Sequence, residues 1–367
     1  MKPTNIHVHL YYGIDPRRFR NGEKPGCIYG YHHARSDALS VTYSHDHPEG
    51  RLLSVVRRGL KAVIGFDMIH TFRNRAALAE ADVIWTHTER EYLSVALLLM
   101  LTRRERQPLL LAQSVWLLDL WKNLSLPKRL FYTWLLRRAD MLTTLTTRNA
   151  ALVKEFWGRK ATVVLYGLNT DDFPVRPATE WKPHSPLRVA AIGNDRDRDW
   201  GTLMKAFAND PAYDVRIATR RKVAQQDKPS NVTITNVNGL PAQREFYDWA
   251  DVIVVPLHPN YHASGITVML EAVAMGKPVV ATAGGGLEDY FSAKSAWYVP
   301  VHSPDAIRRV VDSLAEAPEE TLAQAVRAQR ELAEKDLTTQ GFAKQHVTLT
   351  DVLIDGAARR EEMMAGA

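Results

Sequence analysis

Cysteine is nearly absent from this chain: Cys27 is the one thiol in 367 residues. A single cysteine excludes a disulfide framework and fits a reducing compartment. Long hydrophobic runs are missing as well. The most apolar stretch, 95–101, ends at Thr102-Arg103-Arg104 and is far too short to cross a bilayer. The opening residues, MKPTNIHVHLYY, lack the apolar core of a secretion signal. Neither internal repeats nor low-complexity tracts occur. With 46% apolar and 24% charged residues, the expectation is a globular cytoplasmic protein of two domains, free or peripheral at the inner face of the membrane.

Charge is unevenly divided. Residues 1–180 hold 26 Lys and Arg against 17 Asp and Glu, whereas residues 181–367 hold 21 against 24. A basic first half suggests an anionic partner: membrane headgroups, a lipid-linked phosphate or an acidic glycan. No nucleic-acid motif is present, so nucleic acid is not expected as a partner. Two segments, 51–61 (RLLSVVRRGLK) and 128–138 (KRLFYTWLLRR), combine cations with apolar residues, as helices at an anionic membrane surface do. The same pattern fits core-packed helices with charged ends.

Short apolar runs alternate with helical patterns along the chain. Strand-like stretches fall at 6–12, 38–44, 83–86, 109–113 and 161–165. Helical stretches fall at 54–64, 92–101 and 128–138. That alternation implies a doubly wound parallel sheet. Residues 174–186 carry four prolines and read as an interdomain linker. A second sheet then begins at 187–192, with further strands at 215–218, 232–235, 252–256 and 279–283. The helix at 200–207 has Trp200, Leu203, Met204 and Phe207 on one face, and a shorter one covers 245–250. The expected domains are 1–173 and 187–340 around the 174–186 linker. A final segment, 341–367, carries a helix at 341–353 crossing back to the first.

The densest information lies in PLHPNYHASGITVMLEAVAMGKPVVATAGGGLEDYF, residues 256–291. Ile266, Met269, Leu270, Val273 and Ala274 make an apolar stripe at helical spacing, which Gly276-Lys277-Pro278 ends. Ser264 and Gly265 therefore stand where a helix points its free N–H groups outward. That is an anion site, and the missing side chain of Gly265 lets a phosphate approach the backbone. Glu271, on the same helix, is placed to accept hydrogen bonds from sugar hydroxyls.

This segment resembles the nucleotide-sugar site of the GT-B glycosyltransferases, glycosyltransferase family 4 in particular. It has the small residue and glycine (Ser264-Gly265), then Glu271-Ala272-Val273-Ala274-Met275-Gly276-Lys277-Pro278-Val279-Val280, then the glycine turn 284–286. The turn Tyr166-Gly167-Leu168-Asn169 through Phe173 is similar to the one that closes the first domain in that family. The resemblance implies a GT-B fold: two doubly wound Rossmann-like domains facing a cleft, with acceptor on the first and nucleotide sugar on the second. It implies transfer of a glycosyl group from a nucleoside diphosphate sugar to a saccharide or lipid-linked hydroxyl, with retention of configuration. No cofactor or metal is expected. Ser264, Gly265, Ile266, Thr267 and Glu271 would bind the donor, Glu271 through the ribose. Arg196 or Arg198, in the turn Gly193-Asn194-Asp195-Arg196-Asp197-Arg198-Asp199, would hold the diphosphate.

Two positions depart from the family pattern. A Glu expected eight residues before Glu271 is Ala263, flanked by His262 and Ser264, either of which is a substitute. A His expected at the end of the strand at 109–113 is replaced by Gln113, which can bond a sugar hydroxyl but cannot shuttle a proton near neutral pH. Gln113 and His262 are accordingly the candidates for sugar-side chemistry, with His87 as a further residue of the first domain. A nucleotide-sugar epimerase of the same fold and a non-catalytic sugar- or lipid-binding relative are the alternatives. His7-Val8-His9 suggests a third, a metal-dependent hydrolase, although nothing downstream completes a ligand set. The Asp-x-Asp pattern at 195–197 is read as charge pairing beside a helix cap at Asp199 rather than as a metal signature.

Overall fold

The computed structural model describes residues 3–16, 29–102, 106–223 and 228–365. Cys27 and the Arg103-Arg104 pair lie outside the described residues. The chain divides into two compact units, one of residues 1–165 with 339–367 and one of residues 166–338.

The first unit is a six-stranded parallel sheet in the order β2-β1-β3-β4-β5-β6. Its strands are β1 (Thr4–His9), β2 (Leu39–Tyr43), β3 (Val83–Thr86), β4 (Leu109–Ser114), β5 (Met141–Thr144) and β6 (Thr162–Val163). β3 and β4 are apolar along most of their length, as strands covered on both faces are, whereas β1 is buried from Ile6 to His9 but alternates Ile6 and Val8 with His7 and His9. Ile6 of β1 is paired with Val41 on one side and Val83 on the other, which sets the register of the centre. The Thr339–Ala365 helix belongs to this unit. Phe342 is fully buried there, and Trp85 Nε1 donates to Thr350 Oγ1 at 2.9 Å.

The second unit is another six-stranded parallel sheet, read from one edge as β9-β8-β7-β10-β11-β12. The strands are β7 (Leu187–Ile192), β8 (Tyr213–Ala218), β9 (Val232–Thr235), β10 (Val252–Val255), β11 (Val279–Thr282) and β12 (Trp297–Val299). Strand order reverses between β7 and β10, and a crevice opens beyond their carboxyl ends, where open α/β sheets bind ligands. Val189, Val215, Val254 and Val280 fill the sheet-side core against Trp200 and Leu203 of the Trp200–Ala206 helix and Phe207 just after it. The proline-rich 174–186 stretch is bonded along this unit: Arg176 N donates to Ala274 O at 2.8 Å, and Trp181 Nε1 to Asp251 O at 2.9 Å.

Candidate functional site

The crevice at the β7–β10 reversal is a cavity of about 240 Å³. Gly193, Asp195, Arg198, Gly265, Thr267 and Glu271 line it, with Thr219 and Asn236 beyond the ends of β8 and β9 and Gln243 on the Leu240–Trp249 helix. Its floor follows from local sequence. β7 ends at Ile192, and the turn that follows is zipped to the segment after β10. Asp199 N donates to Pro256 O at 3.0 Å and His258 N to Asp197 O at 2.8 Å. Asp199 caps the Trp200–Ala206 helix, accepting from Thr202 N at 3.0 Å. These bonds fix Arg198 between two glycines.

Both glycines are needed for close approach. A Cβ on Gly193 would run into the Arg198 guanidinium. Gly265 has φ +90°, and a Cβ there would collide with Val255 and stand 3.0 Å from Arg198 Nη1. Gly265 also opens the Ile266–Ala274 helix, whose first-turn N–H groups have no partner within the helix. Ile266 itself is buried, while Thr267 faces the cavity.

Arg198 is the electrostatic centre. Its side chain is buried, and among the described residues neither Nε nor Nη1 has a hydrogen-bond partner. Burial lowers its pKa, opposed by the negative fields of Asp195, Tyr247 and Glu271. A cation with unsatisfied donors in a water-poor site costs several kcal/mol unless an anion meets it. Glu271 is half-buried, and Tyr247 donates to its Oε2 at 2.5 Å. Burial raises the Glu271 carboxyl to about 7 against the opposing effects of the Tyr247 hydrogen bond and of Arg198.

Asp195 organises the other wall. Its Oδ2 lies 2.7 Å from His262 Nε2 and accepts from Ser264 Oγ at 2.8 Å. Burial works against its ionisation, but these two partners hold the carboxyl well below the usual range. Asn260 Oδ1 accepts from Ser264 N at 3.0 Å, and Ala263 between these residues takes φ +52°. The position lacking the expected Glu is thus backed by a carboxylate from the β7 turn.

The structure therefore brings Arg198, His262, Ser264, Gly265, Thr267 and Glu271 together. Arg196 stands apart: it is largely exposed, points to Asp197 at 3.3 Å and does not line the cavity. Gln113 is the penultimate residue of β4 in the first unit, fully buried, with Nε2 donating to His87 O at 3.0 Å and Oε1 without a partner among the described residues. His87 is itself buried there, within 3.0 Å of the Tyr31 hydroxyl. His7 and His9 are sealed in the first sheet against Thr42 and Thr71, at 3.0 and 2.9 Å, and burial pushes His7 down to about 3. Among the described residues, two groups have potential metal-ligand atoms within 4.8 Å of one another: Asp195 with Asp197 and His262, and Asp199 with His258 and His302. Asp195, Thr219, Asn236, Gln243 and Tyr247 are site residues that the sequence reading did not single out. All but Tyr247 are polar residues just beyond a strand end or on the next helix.

Comparison with known proteins adds the following. Residues 208–317 match the family model of the group 1 glycosyl transferases. No curated protein sequence matches the chain. Among solved structures, sucrose-phosphate synthase from Thermosynechococcus elongatus is 16% identical with a TM-score of 0.71, over 96% of this chain and 100% of that one. Anabaena HepE in complex with UDP and glucose is 14% identical with a TM-score of 0.68, over 94% and 99%. A glycosyltransferase from Rickettsia africae is 12% identical with a TM-score of 0.64, over 96% and 99%. At these identities the likeness shows the fold. The chain is a GT-B protein of two Rossmann-like units, and its second unit is similar to the group 1 glycosyl transferases over residues 208–317.

Proposed function

We propose that this protein transfers a glycosyl group, a hexosyl unit with retention, from a nucleoside diphosphate sugar to a hydroxyl of a saccharide or lipid-linked acceptor. The setting proposed is cell-surface polysaccharide or glycolipid synthesis at the cytoplasmic face of a membrane. The observation that carries the reading is Arg198, buried with two unpaired donor atoms beside the Gly265 helix start. In the reaction the bond from the anomeric carbon to the diphosphate oxygen breaks, the acceptor hydroxyl oxygen takes its place, and the acceptor's proton passes to the departing diphosphate. Negative charge then collects on the diphosphate. Arg198 and the first-turn N–H groups of the Ile266–Ala274 helix are placed to receive it. Glu271, oriented by Tyr247, accepts from the ribose hydroxyls. Asp195, His262 and Ser264 form the polar wall near the sugar. A UDP complex of the similarly folded Anabaena protein supports nucleotide binding in this fold.

Thermal stability against UDP, GDP, ADP and their sugars tests the reading, with magnesium and with chelator. A ligand that binds the native state alone raises the melting temperature by mass action, about 2.7 kcal/mol of stabilisation at a hundredfold excess over Kd. The expected outcome is a rise with one nucleotide class that chelator leaves unchanged. A rise that needs magnesium would move the diphosphate to a metal at Asp195, Asp197 and His262. No rise with any nucleotide would contradict the donor site.

A further inference from the structure

Two helices of the first unit turn large apolar side chains outward. The Arg51–Ile64 helix exposes Leu52 (79%), Val55, Val56, Leu60 and Val63 (75%), while Arg57 is its one buried residue. Arg57 is held by Glu49 at 2.8 Å and Asp67 at 2.6 Å, with its guanidinium 3.9 Å from the centre of the Tyr12 ring. The helix is thus anchored to the protein by its cation, and its apolar stripe is left outside. The Leu126–Leu136 helix is apolar on both sides: Leu126 (67%), Leu130 (63%) and Trp134 are exposed at four-residue spacing, while Tyr132, Leu135 and Leu136 point inward.

The two helices abut. Tyr132 OH donates to Ile64 O at 2.6 Å, Lys128 Nζ reaches Val63 O at 3.4 Å, and Phe66 stacks on Phe131 with centroids 6.2 Å apart. Arg51 and Arg58 are exposed beside the apolar stripes, Lys61, Lys128 and Arg129 are half-buried, and neither helix carries an acidic residue.

We propose that this face docks the first unit onto a bilayer surface containing anionic lipid, with the exposed aliphatic and tryptophan side chains in the headgroup boundary and the arginines on lipid phosphates. Large aliphatic side chains clustered on one surface mark an interaction site rather than ordinary solvent-facing structure. Cations without acids beside an apolar stripe match the chemistry of an anionic interface. Charge decides against a second copy of the chain, because self-association would bring these cations against one another. The inference rests on no part of the nucleotide-sugar reading, since the donor cavity lies in the other unit.

The test is co-sedimentation of the full chain with vesicles of phosphatidylcholine alone and of phosphatidylcholine mixed with phosphatidylglycerol. The wild type is expected to sediment with the mixed vesicles, to do so less as salt rises, and to stay largely free of the neutral ones. Leu52→Asp with Leu130→Asp should weaken partition by at least about tenfold, and Arg51→Glu with Arg58→Glu should abolish the preference for anionic lipid. Emission of Trp134, taken as the difference between wild type and Trp134→Phe, should shift to the blue on adding mixed vesicles. That readout stands even if a charged variant melts early. Wild type remaining in the supernatant with mixed vesicles, or no vesicle-dependent Trp134 signal, overturns the proposal. So does a dimer in sedimentation velocity that Leu52→Asp with Leu130→Asp dissolves. Nucleotide-induced melting shifts, measured in parallel, report the donor site separately.

Discussion

Arg198 and Glu271 show how one cavity sets two side chains to different tasks. Arg198 is kept charged in a buried place, and Glu271 is poised to change charge near neutrality. In the free protein the Glu271 carboxyl sits at about 7, above its ordinary 4.5. The folded form therefore binds the extra proton more readily than the unfolded chain. The associated stability is present below the unfolded value and is lost as pH rises through about 7. Glu271→Gln should consequently gain stability relative to wild type between pH 5 and pH 8, on the order of 2 kcal/mol, read from denaturant melts at each pH. Nucleotide binding should show the opposite slope, because ribose hydroxyls donate to the ionised carboxylate. Wild-type affinity should fall by up to about tenfold from pH 8 to pH 6, relative to the variant. Parallel pH profiles for both proteins would contradict the assignment.

The sequence makes Glu271 legible because it stands inside a long ordered pattern. It leaves Arg196 and Arg198 equivalent, since both follow Gly193 in an alternating charged run. What separates them is the close approach of Gly193 and Gly265 to one guanidinium, and that depends on contacts between segments almost seventy residues apart. Asp195 is hidden for the same reason: its partners His262 and Ser264 come from the far side of β10.

At the level of elements, buried parallel strands are the clearest signal. Apolar runs at 83–86, 187–192 and 252–256 need no tertiary information to be recognised. β5 and β12 are less visible: Met141–Thr144 is half threonine and Trp297–Val299 has three residues. The Pro318–Glu334 helix buries mainly small side chains, Ala325 and Ala328 with Leu332, so its apolar stripe has little contrast. Pro304–Glu316 differs, because Ile307, Val311 and Leu314 stand at helical spacing in plain sight. Periodicity also cannot say which face of a helix turns inward, and that is why the Arg51–Ile64 helix fits either a core or a membrane until Arg57 is seen buried. The Gly265 helix start yields a prediction at this scale. Gly265→Ala must accept a positive φ and displace Val255, so it should cost about 2 kcal/mol of stability and reduce nucleotide affinity at least about tenfold. Retained affinity with unchanged stability would show that neither the backbone conformation nor the close approach matters.

The whole molecule couples two six-stranded parallel sheets with different strand orders to different surfaces. The second presents a polar cavity with a buried cation, and the first presents cationic, apolar helices. No helix among the described residues is long and apolar enough to cross a membrane. The basic balance of residues 1–180 therefore has a structural counterpart in the first unit, while the second unit holds Arg198 buried at its cavity. The proposed activity requires that arginine to meet a diphosphate. Calorimetric titration of UDP, GDP and ADP into wild type and Arg198→Ala measures it most directly. Charge-assisted hydrogen bonds contribute about 1.5–3 kcal/mol each. One nucleotide should therefore bind the wild type, and Arg198→Ala should lose about tenfold to a hundredfold in affinity, with the loss shared between the diphosphate and its sugar. Equal affinity in the two proteins, or no binding to either, would contradict the central claim.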